Sequence, residues 1–133
     1  MRSFEDLPLA KLQVAVAGKV ELAVLFGSMT TGHTHAESDV DIAVWPRVET
    51  DLDLLTGELM SACGTDAVDV SDLRRGGGTL QQIVATRGRL LFEEWPGRFA
   101  EFAALAERRW QDDWRRQPYY LQAVDRWLEA RGV

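Results

Sequence analysis

Residues 26–45 read FGSMTTGHTHAESDVDIAVW. An apolar run ends at Gly27-Ser28, polar residues follow, and a second apolar run begins beside two aspartates. Side chains alternate across a strand, so Asp39 and Asp41 project from one face where the second strand starts. Two adjacent carboxylates repel each other unless a cation lies between them. The stretch therefore predicts a divalent cation site, and Mg²⁺ suits it because Mg²⁺ prefers hard oxygen ligands.

The rest of the chain alternates between strand and helix patterns. Strands interleaved with helices predict an α/β (α+β sandwich) fold, with a mixed sheet of about four strands flanked by helices. We expect one domain over residues 1–133, with the sheet core at about 10–94 and a C-terminal helical pair at about 95–131. The predicted strands span 20–26, 39–45, 66–72 and 89–93, and the predicted helices span 4–18, 51–63, 78–88, 96–117 and 118–131.

A third acid and a glycine-serine turn complete the candidate site. Asp69 lies in the strand AVDVSD between valines, where an unpaired carboxylate would be costly. If this strand lies beside the second, Asp69 joins Asp39 and Asp41 around two metals. Gly27 allows close backbone approach to a ligand, and Ser28 can cap a short helix and donate to phosphate oxygens. This combination is typical of phosphoryl or nucleotidyl transfer.

Composition restricts the possible partners and compartments. The net charge is −6, and residues 1–72 carry 13 acidic residues against 4 basic ones, which argues against broad binding of nucleic acid. No apolar stretch reaches the length of a membrane span, so we expect a cytoplasmic protein. The lone Cys63 agrees with a reducing compartment and is interpreted as a small buried hydrophobe at a helix end.

Several other features have a plain structural interpretation. We expect the C-terminal aromatic residues to form a stripe that packs both helices onto the sheet. An exposed part of this stripe is an alternative candidate for a partner surface. Arg74 and Arg75 either contact an anion or form a solvated charged turn, and the glycine run 76–78 is interpreted as a flexible connection. His33 and His35 are interpreted as exposed loop residues rather than metal ligands.

These motifs together resemble a known signature. Gly27-Ser28, ten intervening residues, Asp39-Val40-Asp41 and the later Asp69 are similar to the GS…DxD…D pattern of polymerase-β-type nucleotidyltransferases. More narrowly, LFGSMTTGHTHAESDVDIAV, AVDVSDL and IVATRGRLLFE resemble the minimal nucleotidyltransferases (MNT domains), as in MntA-like antitoxins paired with a HEPN toxin. The similarity extends over most of residues 10–94.

The resemblance implies a specific reaction. Gly27 and Ser28 would hold the triphosphate of ATP, and Asp39 and Asp41 would bind two Mg²⁺ ions. Asp69 would bind one of these ions and assist deprotonation of the acceptor hydroxyl. The implied activity is transfer of AMP to a tyrosine of the HEPN toxin, which silences it.

Two other functions remain open at this point. One is a nucleotidyltransferase with a small-molecule acceptor of the aminoglycoside type. The other is a non-catalytic antitoxin that neutralises its partner by occlusion.

Overall fold

The computed structural model describes residues 6–27, 40–116 and 120–132, and the predictions for Ser28, His33, His35 and Asp39 lie outside these residues. Within them the chain forms five helices and four strands, in an order that matches the predicted one. In chain order these are α1 (Leu9–Val16), β1 (Val20–Phe26), β2 (Val40–Pro46), α2 (Leu52–Cys63), β3 (Val68–Asp72), α3 (Gly77–Arg87), β4 (Arg89–Glu93), α4 (Arg98–Arg116) and α5 (Tyr120–Ala130).

The four strands form one mixed sheet in the order β3-β2-β1-β4. Strand β1 is antiparallel to both of its neighbours, whereas β2 and β3 are parallel. Except for Glu21, every residue of β1 is buried, as expected of a central strand covered on both faces. The predicted α/β architecture with a mixed four-stranded sheet is confirmed.

Each face of the sheet has its own hydrophobic core. In β2 the side chains alternate, so Val40, Ile42 and Val44 face α1 and α2, while Ala43 and Trp45 face the opposite side. Helices α3, α4 and α5 cover that second side, which we call the α3 face. Phe99, Phe102 and Trp127 pack there, which confirms the expected docking role for these three aromatic residues.

Helix ends differ from the predicted bounds where proline or glycine alters the backbone. Helix α1 begins at Leu9 rather than near residue 4 because Pro8 occupies its N-cap and disfavours helical backbone at the residue before it. Helix α4 begins at Arg98 rather than at the predicted Pro96. Gly97 has a φ of +95°, and its N–H donates to Glu93 Oε1 over 2.9 Å, so these residues form a turn.

The glycine run after β3 is not the flexible connection that its composition suggests. Gly77 and Gly78 form the first turn of α3, and Gly76 occupies its N-cap. Gly88 closes the same helix as predicted, but with extended backbone rather than a left-handed conformation. A Cβ at Gly88 would overlap Val24 Cγ1, so this glycine lets the end of α3 pack directly against β1.

The sequence predicts a buried Cys63 and no membrane-spanning stretch. Cys63 ends α2 as a buried hydrophobe, and its burial raises the pKa of the thiol. None of the helices in the described part of the chain has the length and hydrophobicity needed to cross a bilayer.

Candidate active site

Two of the three predicted acids are direct neighbours in the sheet. Asp41 of β2 and Asp69 of β3 are register partners, flanked by the pairs Val40–Val68 and Ile42–Val70. Partner residues in a sheet place their side chains on the same face, and adjacent strands lie about 4.8 Å apart. Both carboxylates therefore lie on the α3 face, whereas Val40 and Val68 belong to the opposite core.

The two carboxylates differ in their exposure to solvent. Asp41 is half-buried, and Asp69 is exposed. The expectation that apolar neighbours make Asp69 costly is wrong, because β3 is an edge strand of the described sheet and both flanking valines point to the other face. Asp69 is consequently accessible to a ligand that approaches from solvent.

The backbone at the end of β1 lies tightly against Asp41. Phe26 is the register partner of Asp41, and Gly27 follows it with a φ of +83°. A Cβ at Gly27 would overlap Asp41 Oδ2 and would lie 3.2 Å from Asp41 Cγ. Only glycine combines this left-handed backbone with the space that the carboxylate needs. The sequence predicts that Gly27 allows a ligand to approach the backbone, and this stays a prediction; the structure shows that the space beside Gly27 is taken by Asp41.

The predicted metal-binding set includes Asp39, which lies outside the residues that the structure describes. The described residues contain no group of three His, Cys, Asp or Glu side chains suited to holding a metal ion. Within the described residues, Asp41 and Asp69 supply two adjacent carboxylates. The roles of Asp39 and Ser28 in the site remain predictions. Carboxylate oxygens on neighbouring strands are the hard donors that Mg²⁺ prefers, so the donor chemistry fits that ion.

The arginine pair after β3 lies at the opposite end of that strand from Asp69. Arg74 donates from Nε and Nη2 to Asp72 at 3.2 and 3.0 Å, and its backbone N–H donates to the same carboxylate at 2.9 Å. Burial raises the pKa of Asp72, but the hydrogen bonds from Arg74 and the charges of Arg74 and Arg75 outweigh this effect and lower it. The interpretation as a charged turn is confirmed.

Gln81 makes a buried polar contact that the sequence pattern does not predict. Gln81 of α3 is buried, donates to the Leu73 carbonyl at 2.9 Å and accepts from Arg109 Nη1 at 3.0 Å. Gln81 thereby connects Arg109 of α4 to the backbone of Leu73, the residue directly after β3. A glutamine in an amphipathic helix carries no local signal of such a role, because its partners are 8 and 28 residues away.

Comparisons with known proteins agree with the geometry. The sequence model of the family "Polymerase beta, Nucleotidyltransferase" matches residues 11–96. The protein adenylyltransferase MntA of Shewanella oneidensis is 36% identical over 95 residues, which are 69% of this chain and 68% of that protein.

Solved structures of toxin-antitoxin complexes have the same fold. A crystal structure of a toxin-antitoxin with AMP-PNP is 30% identical, with a TM-score of 0.74, over 89% of this chain and 98% of the other. A rebuilt structure of the tri-AMPylated Shewanella oneidensis HEPN toxin in complex with the MNT antitoxin is 28% identical. Its TM-score is 0.63, over 87% of this chain and 92% of the other.

Proposed function

Because the chain belongs to the polymerase beta nucleotidyltransferase family, we propose that it is a protein adenylyltransferase antitoxin. It transfers AMP from ATP to a tyrosine of a cognate HEPN toxin and thereby neutralises the toxin. Its similarity to MntA and to the AMPylated complex supports this choice of donor and acceptor. The observation that carries the proposal is the register pair Asp41–Asp69 beside the left-handed Gly27.

The nucleotide binds at the turn after β1. Gly27 lacks a side chain, so its backbone leaves room for a phosphate as well as for Asp41. Ser28 supplies its hydroxyl and backbone N–H to the triphosphate oxygens. The turn therefore orients the α-phosphorus toward the end of the sheet that carries the acids.

Three carboxylates would hold two Mg²⁺ ions. Asp39 and Asp41 would supply oxygens to both ions, and Asp69 would supply oxygens to one. When bound, the ions neutralise the charge of the triphosphate and of the departing pyrophosphate. The contribution of the protein is to fix these oxygens on two paired strands, where the backbone ladder holds their spacing.

Asp69 also accepts the proton of the acceptor. As the tyrosine hydroxyl gives its proton to this carboxylate, its oxygen forms a bond to the α-phosphorus, and the bond from that phosphorus to the bridging oxygen breaks. Pyrophosphate leaves with the electron pair of that bond. The exposure of Asp69 suits a protein acceptor, because a tyrosine on a folded partner must reach the base from solvent.

The whole chain takes part in this function. Residues 1–133 act as one domain, because α4 and α5 pack on the same sheet face that carries Asp41. We place the reaction in the cytoplasm, where ATP is available and cysteines such as Cys63 stay reduced.

An intact-mass experiment tests the proposal. The purified chain is incubated with ATP, Mg²⁺ and its cognate HEPN-domain protein, and the intact mass of that partner is measured. We expect a mass increase of one or more AMP groups. The double variant Asp39→Ala, Asp41→Ala should abolish this increase with an unchanged circular dichroism spectrum, whereas Asp66→Asn, an exposed acid before β3, should not.

Two results would reject the reaction. If the partner keeps its mass but still binds the chain, the antitoxin acts by occlusion. If the double variant transfers AMP as fast as the parent, the carboxylates do not hold the metal ions.

A further inference from the structure

An open groove lies at the end of the sheet opposite Asp41 and Asp69. Its volume is about 690 Å³, which falls within the range of about 300–1,000 Å³ typical of ligand-binding pockets. It lies between the start of β1, the end of β2 and the start of α2. Its lining residues that matter here are Lys19, Arg47, Val48, Glu49, Leu54 and Glu94.

The groove exposes apolar side chains. Val48, in the turn after β2, is 92% exposed, and Leu54, on the outer side of α2, is 64% exposed. The buried Leu55 also contributes to the lining. Two exposed apolar side chains on one concave surface offer apolar area that a partner would remove from water.

The groove also carries excess negative charge. Five carboxylates line it against two cations, and both cations already pair inside it, Lys19 with Glu58 and Arg47 with Glu94. A third carboxylate, that of Glu21, accepts from the buried Arg98 beneath the groove over 2.9 Å. Glu49 and Asp51 have no ion pair to a described cation, so the groove is complementary to positive charge.

We propose that this groove is the docking surface for a segment of the partner protein that carries lysine or arginine beside an apolar side chain. The inference rests on the proposed function, because it assigns a place on the chain to the HEPN partner. The partner's apolar side chain covers Val48 and Leu54, and its cation lies beside Glu49 and Asp51. Such a contact combines desolvated apolar area with charge pairing at the rim.

The position of the groove predicts its kinetic effect. Strand β1 has seven residues, so at about 3.3 Å per residue roughly 20 Å separates the groove from Gly27. A partner held there leaves the Asp41–Asp69 end open for its tyrosine. Loss of docking should therefore raise the KM for the partner and leave kcat at saturating partner unchanged.

The test compares two matched double variants. Glu49→Lys with Leu54→Ala alters the groove, and Glu129→Lys with Val14→Ala makes the same charge reversal and a comparable apolar truncation at exposed positions on α5 and α1. Binding to the immobilised HEPN-domain protein is measured without ATP. We expect the groove variant to have a Kd about tenfold higher than that of the parent, and this Kd should depend less on salt concentration. The Kd of the control should stay within about twofold of the parent value.

The outcomes separate docking from catalysis. If both variants bind like the parent, the groove is not the docking surface, even where AMP transfer proceeds. If the parent transfers no AMP but the groove variant alone binds weakly, the docking surface stands and the proposed reaction fails. If the parent chain alone is a dimer and the groove variant is a monomer, a second copy occupies the groove and the proposal is overturned.

Discussion

Gly27→Ala should separate the role of this glycine in the site from its role in the fold. The residue has a φ of +83°, a conformation that costs an L-amino acid about 1–2 kcal/mol. The new Cβ would also overlap Asp41 Oδ2 and lie 3.4 Å from Asp41 Cβ. Since β2 is paired on both sides, the carboxylate must leave its rotamer, which costs about 0.5–1.5 kcal/mol more. We expect the free energy of unfolding to fall by about 2–3 kcal/mol.

The effect on catalysis should exceed the effect on stability. A displacement of the Asp41 carboxylate by about 1 Å misplaces a metal ligand, and such a shift costs roughly 100-fold in rate. The initial rate of AMP transfer is measured at a temperature where urea unfolding shows the variant to be fully folded. The decrease should persist at saturating ATP and partner.

Gly18→Ala provides a matched control. Gly18 has a φ of +79°, but nothing lies within 4 Å of the position that its Cβ would occupy. This variant should lose about 1–2 kcal/mol through backbone strain alone and, at saturating partner, should transfer AMP like the parent. Equal rate losses in the two variants, or full activity in Gly27→Ala, would refute the contact between Gly27 and Asp41 as the reason for the glycine.

Two further variants test ionic contacts. The pKa of Asp72 is lowered in the folded chain, so its contribution to stability is present at neutral pH and is lost as the pH falls below about 4. Asp72→Asn should therefore be less stable than the parent at pH 7 in urea unfolding, and the difference should shrink as the pH falls through the lowered folded-state pKa of Asp72. A difference that does not change with pH would contradict a stabilising ion pair with Arg74. Arg98 is buried, donates to Glu21 Oε1 at 2.9 Å and lies over the rings of Trp45 and Trp95. Arg98→Ala should lower the free energy of unfolding by about 2 kcal/mol, whereas Arg108→Ala, at an exposed position, should change it by less than about 0.5 kcal/mol. Equal changes in the two variants would contradict a stabilising role for the contact between Arg98 and Glu21.

Local pattern was sufficient for the elements with the clearest signals. The bounds predicted for the strands at 20–26 and 89–93 are confirmed, because each contains an apolar run bordered by glycine or charged residues. Helix α2 follows its periodicity as well, with Asp51 capping the N–H groups of Asp53 and Leu54. The glycine run at 76–78 misled the prediction, because packing of α3 on the sheet overrode the low helix propensity of glycine.

The sequence by itself determined that Asp41 lies on the opposite face of its strand from Val40 and Ile42, and Asp69 from Val68 and Val70, since alternation is a property of any extended chain. It also predicted that Gly27 allows a ligand to approach the backbone closely. Only the tertiary structure decided that Asp41 and Asp69 are register partners, that Gly27 makes room for Asp41, and that charged residues of β1, of α2 and of the loop between β2 and α2 line one groove. The physical reason is that strand register depends on burying both faces of the sheet at once, a condition that no single segment contains.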